Sequence, residues 1–255
     1  MIGAVRMVQR NALVYRQVWR GSVFSSFLQP TLFLIAMGLG LGGMIDPSAA
    51  ALPGGVRYVE FLAPGLLAAT AMQAATFEST YPVLGKMTWH RNYEAISATP
   101  MRPSDLVLGE LGWIAVRLAT IATAFVLVMM LFGIPRSARV LLAIPAAMMT
   151  GLAFAAPIMA YAVTLKNSST FNVLYRFGVT PLFLFSGVFF PLGRLPEWLE
   201  YVAWFTPLFH GVELVRGLTL DLPSRDWTIH GGYLAALTAV GTVAALVTFR
   251  RALRA

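Results

Sequence analysis

Long stretches without a charged side chain constrain this chain more than any other feature. Residues 21–45 contain no Asp, Glu, Lys or Arg, and further apolar stretches cover residues 61–77, 140–165 and 227–249. These lengths lie close to the roughly 20 residues that a helix needs to cross a lipid bilayer. Only 12% of all residues are charged, which is about half the share in soluble domains. The sequence therefore predicts an all-α integral membrane protein.

The length of the chain limits how many crossings fit. At about 20 to 25 residues per crossing plus connections, 255 residues hold about six helices and leave no room for a second soluble domain. We therefore predict a single transmembrane domain over residues 1–255, with crossings at residues 21–45, 61–80, 105–132, 140–165, 173–191 and 227–249. The sequence contains no cysteine, which excludes disulfides and thiolate-ligated metal sites.

The first 20 residues have a basic, amphipathic pattern. On a helix, one side carries four arginines and two glutamines: Arg6, Gln9, Arg10, Arg16, Gln17 and Arg20. The other side carries apolar residues, among them Met7, Val8, Ala12 and Trp19. This pattern is typical of an interface helix that lies on the membrane, with its arginines toward lipid head groups or a soluble partner. A plain basic leader is the alternative, although the apolar stretch that follows is too long for a cleaved signal peptide.

A polar segment, Tyr81–Asp105, separates the second and third crossings. Pro82 bounds it on one side and Pro100 and Pro103 on the other, so helix-breaking residues set the ends of a short intervening helix. Helical spacing places three side chains on one apolar face: Trp89, Tyr93 and Ile96. Three further side chains share a neighbouring face: Lys86, His90 and Glu94. Such a helix can bind in a groove of a partner, and the alternative is an ordinary solvated loop.

Basic side chains are distributed unequally between the two sides of the predicted crossings. With a cytosolic N-terminus, the cytosolic side carries Arg6, Arg10, Arg16, Arg20, Lys86, Arg91, Arg102, Lys166, Arg176, Arg250, Arg251 and Arg254. The other side carries Arg57, Arg136, Arg139, Arg194, Arg216 and Arg225. Because Lys and Arg are enriched on the cytosolic side of membranes, we expect a multi-pass cell-membrane protein with both termini in the cytosol. This placement also explains the net charge of +8 without nucleic-acid binding.

Residues 186–226, before the last crossing, are too apolar for a loop and too interrupted for a crossing. Only twelve uncharged residues separate Glu200 from Glu213, and Pro207 interrupts them. This length predicts a re-entrant or interfacial helical pair within residues 192–220. The pair would enter the outer half of the bilayer and turn back.

Four side chains in this predicted helical pair are candidates for a functional or structural role. Trp198 would lie at the depth of the lipid head groups. His210 precedes Glu213 and Arg216, which are three residues apart and can form an ion pair across one helical turn. We expect this ion pair to be structural.

The sequence offers little for catalysis. Its three histidines are scattered, without the spacing of a metal site, and no phosphate-binding loop of the form GxxxxGK[ST] is present. Glu110 and Arg117 interrupt the third crossing, where an unpaired charge costs about 2.5 to 3.5 kcal/mol. They indicate either a substrate path or moving interface, or a structural ion pair. Glu78, at the end of the second crossing, is expected to pair with the polar segment.

Two stretches resemble a known family. They are FLAPGLLAATAMQAATFESTY at residues 61–81, which leads into NYEAISATPMRPSDLVLGEL at 92–111, and SGVFFPLGRLPEWLEYVAWFTPLFHGVELVRG at 186–217. Together with the six-crossing pattern, they resemble the permease subunit of ABC-2 type exporters. The resemblance is to the branch of nodulation lipo-oligosaccharide and daunorubicin-type drug permeases.

The resemblance implies that one subunit forms the transport pathway and a separate subunit binds the nucleotide. Such permeases export amphipathic substrates, such as a lipid-linked saccharide, a glycolipid or a drug. A separate nucleotide-binding ATPase subunit holds ATP and Mg²⁺, and a second copy or a sibling permease completes the pathway. A cytosolic coupling helix binds in a groove of the ATPase, and here it would lie within residues 86–99. Its contact residues would be Trp89, Arg91, Asn92, Tyr93 and Glu94.

Two other classes of function remain open from the residues alone. One is a membrane-embedded enzyme that acts on lipid-linked substrates through Glu78, Glu110 or Arg117. The other is a proton-coupled carrier that uses Glu110. Activity without ATP would favour the enzyme, and transport that follows a pH gradient would favour the carrier.

Overall fold

The structure, a computed structural model, describes residues 2–41, 52, 55–89, 92–97, 100–194, 196–221 and 226–253. All regular elements in these ranges are helical. The α-helices are α1 (Ile2–Tyr15), α2 (Trp19–Phe33), α3 (Tyr58–Ser79), α4 (Tyr81–Leu84), α5 (Asn92–Ser97), α6 (Pro103–Leu131), α7 (Ala143–Ala162), α8 (Thr170–Val173), α9 (Thr180–Phe185), α10 (Glu197–Trp204), α11 (Pro207–Leu220) and α12 (Trp227–Ala252). Segments of π-helix at Leu34–Leu41, Gly85–Trp89 and Leu174–Val179 continue α2, α4 and α8.

Helix α7 lies at the centre of the bundle and packs against α3, α6, α11 and α12. Glycines allow two of these close approaches, because small residues let helix backbones meet in apolar surroundings. A Cβ atom at Gly241 of α12 would lie 2.5 Å from Cδ of Pro157 in α7. A Cβ atom at Gly211 of α11 would overlap the side chain of Thr150. The contact between α7 and its neighbours therefore depends on the absence of side chains at these positions.

Three segments of the described chain are long and apolar enough to cross a membrane by length and composition. They are Pro103–Leu131, Ala138–Ala162 and Trp227–Ala252. They coincide with the third, fourth and sixth predicted crossings. The other three predicted crossings, 21–45, 61–80 and 173–191, stay predictions.

Several helix ends differ from the bounds of the predicted segments. The interface helix predicted over residues 1–20 ends at Tyr15, and α2 begins at Trp19. In the predicted crossing 173–191, α9 ends at Phe185, because the chain turns at Gly187, whose φ of 78° is a left-handed conformation that glycine adopts without strain. The start of α6 is close to the prediction, since Pro103 takes the first helical position and Asp105 Oδ2 accepts a hydrogen bond from the Arg102 backbone N–H.

The two ends of the bundle differ in character. We call the end with α1, the Tyr81–Asp105 segment and the last turns of α12 the polar end. We call the opposite end, with α10 and α11, the aromatic end. At the aromatic end, Arg136 pairs with Glu60 and Arg139 pairs with Asp221, at 2.9 and 2.6 Å. Two of the arginines that the sequence assigns to the sparsely charged side are therefore paired with acids.

Candidate functional site

The predicted coupling helix over residues 86–99 is not described as one helix. A π-helical segment ends at Trp89, and α5 begins at Asn92. Trp89 and Tyr93 therefore do not share one face: the Trp89 side chain is 61% exposed, whereas that of Tyr93 is fully buried. Arg91 and residues 98 and 99 lie outside the described residues, and so does the side chain of Glu94. Of the predicted contact residues whose side chains are described, Trp89 is the most exposed.

Glu110 of α6 is the centre of a buried polar cluster at the polar end. Its carboxylate oxygens lie 2.7 and 2.8 Å from Lys86 Nζ. The Tyr93 hydroxyl donates to Glu110 Oε1 at 3.0 Å, and Asn11 Nδ2 donates to Oε2 at 3.2 Å. Only 2% of Glu110 is exposed. A buried carboxylate is tolerated when its lone pairs are satisfied in this way.

We call this group, Asn11, Lys86, Tyr93 and Glu110, the Glu110 cluster. Burial raises the pKa of the Tyr93 hydroxyl well above its ordinary value, and the neighbouring Glu110 carboxylate raises it further. Tyr93 therefore stays protonated and can donate its hydrogen bond at any physiological pH. In this structure the Tyr93 side chain faces the interior of its own chain, and its contact with an ATPase stays a prediction.

Apolar contacts connect the Glu110 cluster to the rest of the polar end. The Tyr93 ring packs against Phe249 near the end of α12, with ring centroids 5.5 Å apart. One turn of α1 lies directly on α6, since a Cβ atom at Gly109 would be 2.5 Å from Cβ of Met7. The cluster thus joins α1, the polar segment, α6 and α12.

Arg117, two turns further along α6, has a different partner from Glu110. Its Nε lies 3.2 Å from Oε1 of Glu78 at the end of α3. Its guanidinium carbon also lies 4.4 Å from the centre of the Tyr15 ring. The expected pairing of Glu78 with the polar segment was wrong, because Glu78 turns toward α6. Both charges are therefore paired in this structure, Glu110 with Lys86 and Arg117 with Glu78.

At the aromatic end, Arg216 of α11 joins three parts of the chain. Its guanidinium donates to the backbone carbonyl of Gly187 at 2.7 Å and to Glu213 at 2.7 Å. It also lies over the ring of Phe61 in α3, at 3.9 Å. The ion pair expected from the three-residue spacing is present, and Arg216 itself is only 4% exposed.

We expect Arg216→Lys to destabilise the protein by about 1 to 3 kcal/mol. A lysine cannot make the two diverging hydrogen bonds of a guanidinium, so the Gly187 carbonyl or Glu213 loses its partner. Thermal unfolding in detergent measures the change. The matched control is Arg139→Lys, whose partner Asp221 is exposed, so its effect should lie within about 1 kcal/mol. Equal effects of the two variants would contradict the role of Arg216.

A histidine pair at the aromatic end was not predicted from the sequence. His210 Nδ1 and His230 Nδ1 lie 2.8 Å apart, although the sequence presented the histidines as scattered. The Tyr233 ring stacks on His210 at 4.1 Å, and the Tyr233 hydroxyl donates to the Phe205 carbonyl. Among the described residues, no three His, Asp or Glu side chains lie close enough together to hold a metal ion. Because His210 lies on α11 and His230 on α12, the contact between the two rings connects these helices.

The other predicted site residues lie on the surface. Arg6, Arg16 and Arg20 are exposed, and Arg10 is half-buried on α1. Trp198 of α10 is 66% exposed and projects from the aromatic end. Asn92, at the first position of α5, is half-buried. These placements are compatible with contacts to lipid or to a partner.

The chain matches the ABC-2 type transporter family over residues 4–220. It therefore belongs to this family of membrane transport proteins, and it is a transporter component rather than a catalytic enzyme.

Among known proteins, the chain is similar to nodulation protein J. It is 31% identical to that of Rhizobium leguminosarum bv. viciae over 245 residues, which cover 96% of this chain and 93% of the relative. With that of Neorhizobium galegae, the identity is 32% over 254 residues, or 99% and 95% of the two chains. With that of Azorhizobium caulinodans, it is 25% over 221 residues, or 87% and 85%. The resemblance to the nodulation branch of export permeases is thereby confirmed.

Proposed function

We propose that the chain is the permease of an ATP-driven exporter that moves an amphipathic substrate out of the cytoplasm. The substrate would be a lipid-linked saccharide, a glycolipid or a drug. A separate nucleotide-binding ATPase subunit would hold ATP and Mg²⁺, and this chain would bind no cofactor. A second permease copy or a sibling permease would complete the pathway in the inner or plasma membrane.

The proposal also covers the number of membrane crossings and the side of the membrane on which each end of the bundle lies. Six crossings, with both termini in the cytosol, would place the polar end in the cytosol and the aromatic end outside. The helices α10 and α11 would then form the re-entrant pair predicted over residues 192–220. The arginines of α1 and of the following turn would face anionic lipid head groups or the ATPase.

The Glu110 cluster is the observation that carries the proposal. The exposed Trp89 and the buried Tyr93 lie in neighbouring parts of the polar segment, so one part can contact a partner while the other is fixed to α6 and α12. Closure of an ATPase dimer could then move α1, α6 and α12 together. A ligand-driven rigid-body shift of this kind can bias a transporter between inward-facing and outward-facing states.

The Glu110 cluster also weighs against the proton-coupled carrier. A carboxylate that carries protons must lose and regain a proton during transport, whereas Glu110 accepts from Lys86, Tyr93 and Asn11 at once. For the membrane-embedded enzyme, both Glu78 and Arg117 are occupied by their mutual ion pair. Neither alternative has an observation in its favour.

Trp89→Ala tests the coupling surface. We expect it to weaken co-purification with the neighbouring ATPase at least tenfold, because large aromatic side chains dominate the free energy of most protein interfaces. Co-expression and pull-down from detergent measures the ratio of the two subunits. The matched control is Trp198→Ala, an equally exposed tryptophan at the other end, which should bind the ATPase normally. An unchanged ratio for Trp89→Ala would contradict the assignment.

A further inference from the structure

An open hollow of about 450 Å³ lies along α10 at the aromatic end of the bundle. Five side chains line it: Glu197, Glu200, Tyr201, Trp204 and Phe205. Their spacing of three and four residues places them on one face of the helix and its last turn. Of the eight residues of α10, all of which the structure describes, Ala203 is the buried one. We call this concavity the α10 hollow.

Two aromatic rings form a corner of the α10 hollow. The rings of Trp204 and Phe205 meet at an interplanar angle of 85°, with their centroids 5.8 Å apart. Contacts from behind hold this corner in place. The His210 ring of α11 lies 5.3 Å from that of Trp204, and the Tyr233 hydroxyl of α12 donates to the Phe205 carbonyl at 2.6 Å. Both rings stay open to a ligand, since 46% of Trp204 and 69% of Phe205 are exposed.

Two carboxylates give the α10 hollow a negative charge. Glu197 and Glu200 are exposed, and their side chains form no ion pair or hydrogen bond with the residues that the structure describes. By contrast, Glu60, Glu213 and Asp221 at the same end of the bundle each pair with an arginine. The charge of the hollow is therefore available to a ligand.

The combination of rings and carboxylates fits an organic cation. The π faces of tryptophan, tyrosine and phenylalanine attract ammonium groups, and this is how aromatic cages bind choline-like ligands. Carboxylates accept charge-assisted hydrogen bonds from N–H groups. An anion would be repelled by both carboxylates. A neutral sugar could stack on the rings, but attraction to two negative charges favours the cation.

We propose that the α10 hollow binds the ammonium of a zwitterionic phospholipid head group, such as that of phosphatidylethanolamine. Exposed tryptophan and tyrosine side chains are typical of protein surfaces at the depth of lipid head groups. On α10, 66% of Trp198 and 71% of Tyr201 are exposed. A phospholipid is then the ammonium-bearing molecule that α10 meets at the highest concentration. The inference is independent of the transported substrate and rests on contact between α10 and a membrane surface.

Lipid binding to the full-length chain, purified in an uncharged polyoxyethylene detergent, tests the proposal. The probes are three palmitoyl-oleoyl lipids that differ in the head group: phosphatidylethanolamine, phosphatidylglycerol and glucosyl diacylglycerol. Native mass spectrometry measures the bound lipid at each concentration. We expect phosphatidylethanolamine to fill one site with an affinity at least tenfold higher than that of the other two. Glu197→Gln/Glu200→Gln should lower this affinity about tenfold, and Trp204→Leu about fivefold.

Matched controls make similar changes outside the α10 hollow. Trp198→Leu removes a tryptophan of the same helix that does not line the hollow, and Asp221→Asn removes a negative charge from the same end of the bundle. Both should change the affinity for phosphatidylethanolamine less than twofold. Because Glu197 and Glu200 are exposed and glutamine has nearly the same size, the double glutamine variant should fold normally.

Three results would overturn the proposal. The first is equal or tighter binding of phosphatidylglycerol to the parent chain. The second is a double glutamine variant that keeps the full preference for phosphatidylethanolamine. The third is equal or tighter binding of glucosyl diacylglycerol, which would assign the hollow to a sugar. The assay needs neither ATPase nor transport, so its outcome is independent of the Trp89 experiment.

Discussion

Replacing Lys86 with methionine is expected to destabilise the protein by about 3 to 5 kcal/mol, because the Glu110 carboxylate would remain buried without its cation. Its hydrogen bonds from Tyr93 and Asn11 cannot replace the lost charge. The apparent melting temperature in detergent should fall markedly. Transport by the proposed ATP-driven exporter should fall with it, since the polar segment would lose its ion pair with α6.

Two further variants test whether loss of the ion pair between Lys86 and Glu110 causes the loss of stability. Lys166→Met removes an exposed lysine from a polar turn and should leave the melting temperature within about 1 °C of the parent. The double variant Lys86→Met/Glu110→Leu removes both charges and should recover much of the lost stability, because an apolar pair often replaces a buried ion pair well. A double variant that is less stable than Lys86→Met alone would refute this account of the cluster.

Gly241→Leu is expected to cause the second large loss, of about 3 kcal/mol or more. Its side chain would have to occupy the space of Pro157 Cδ and of the Pro157 backbone nitrogen, 2.5 and 2.7 Å from the new Cβ. A backbone nitrogen in a central helix cannot move aside, so α12 would separate from α7. Thermal unfolding and the yield of folded protein on size-exclusion chromatography measure the effect.

The same helix supplies the control for this prediction. Gly232 is nine residues earlier on α12, and a Cβ atom there meets nothing within 4 Å. Gly232→Leu should therefore be neutral or stabilise the protein by up to about 1 kcal/mol through helix propensity. If both leucine variants were equally tolerated, the close contact between α12 and α7 would not be essential to the fold.

Local signals explain what could be predicted from the sequence. Hydropathy and length identified the segments that became α6, α7 and α12, and Pro103 with Asp105 located the start of α6 to within two residues. Hydropathy, segment length and the residues at a helix start all depend on residues that are close together in the sequence. The all-helical fold class and the family followed from the same signals and from two motif stretches.

Contacts between distant residues could not be predicted. Lys86 and Glu110 are 24 residues apart, and Lys86 was assigned to a face shared with His90 because a continuous helix was assumed. The described residues instead form a π-helical segment at Gly85–Trp89 and a separate α5 from Asn92, with Trp89 exposed and Tyr93 buried. The histidine pair was missed for a similar reason, since its members lie on two helices whose relative rotation no spacing rule gives.

The length of α6 has a mechanical consequence. Its 29 residues extend about 44 Å, whereas the hydrocarbon core of a bilayer is about 30 Å thick. Glu110 lies in the second turn, near one tip of this rod. If the rod tilted by 5° about one tip, the other tip would be displaced sideways by about 4 Å. Because α6 is long, a small change in its angle therefore becomes a displacement of atomic size at its opposite end.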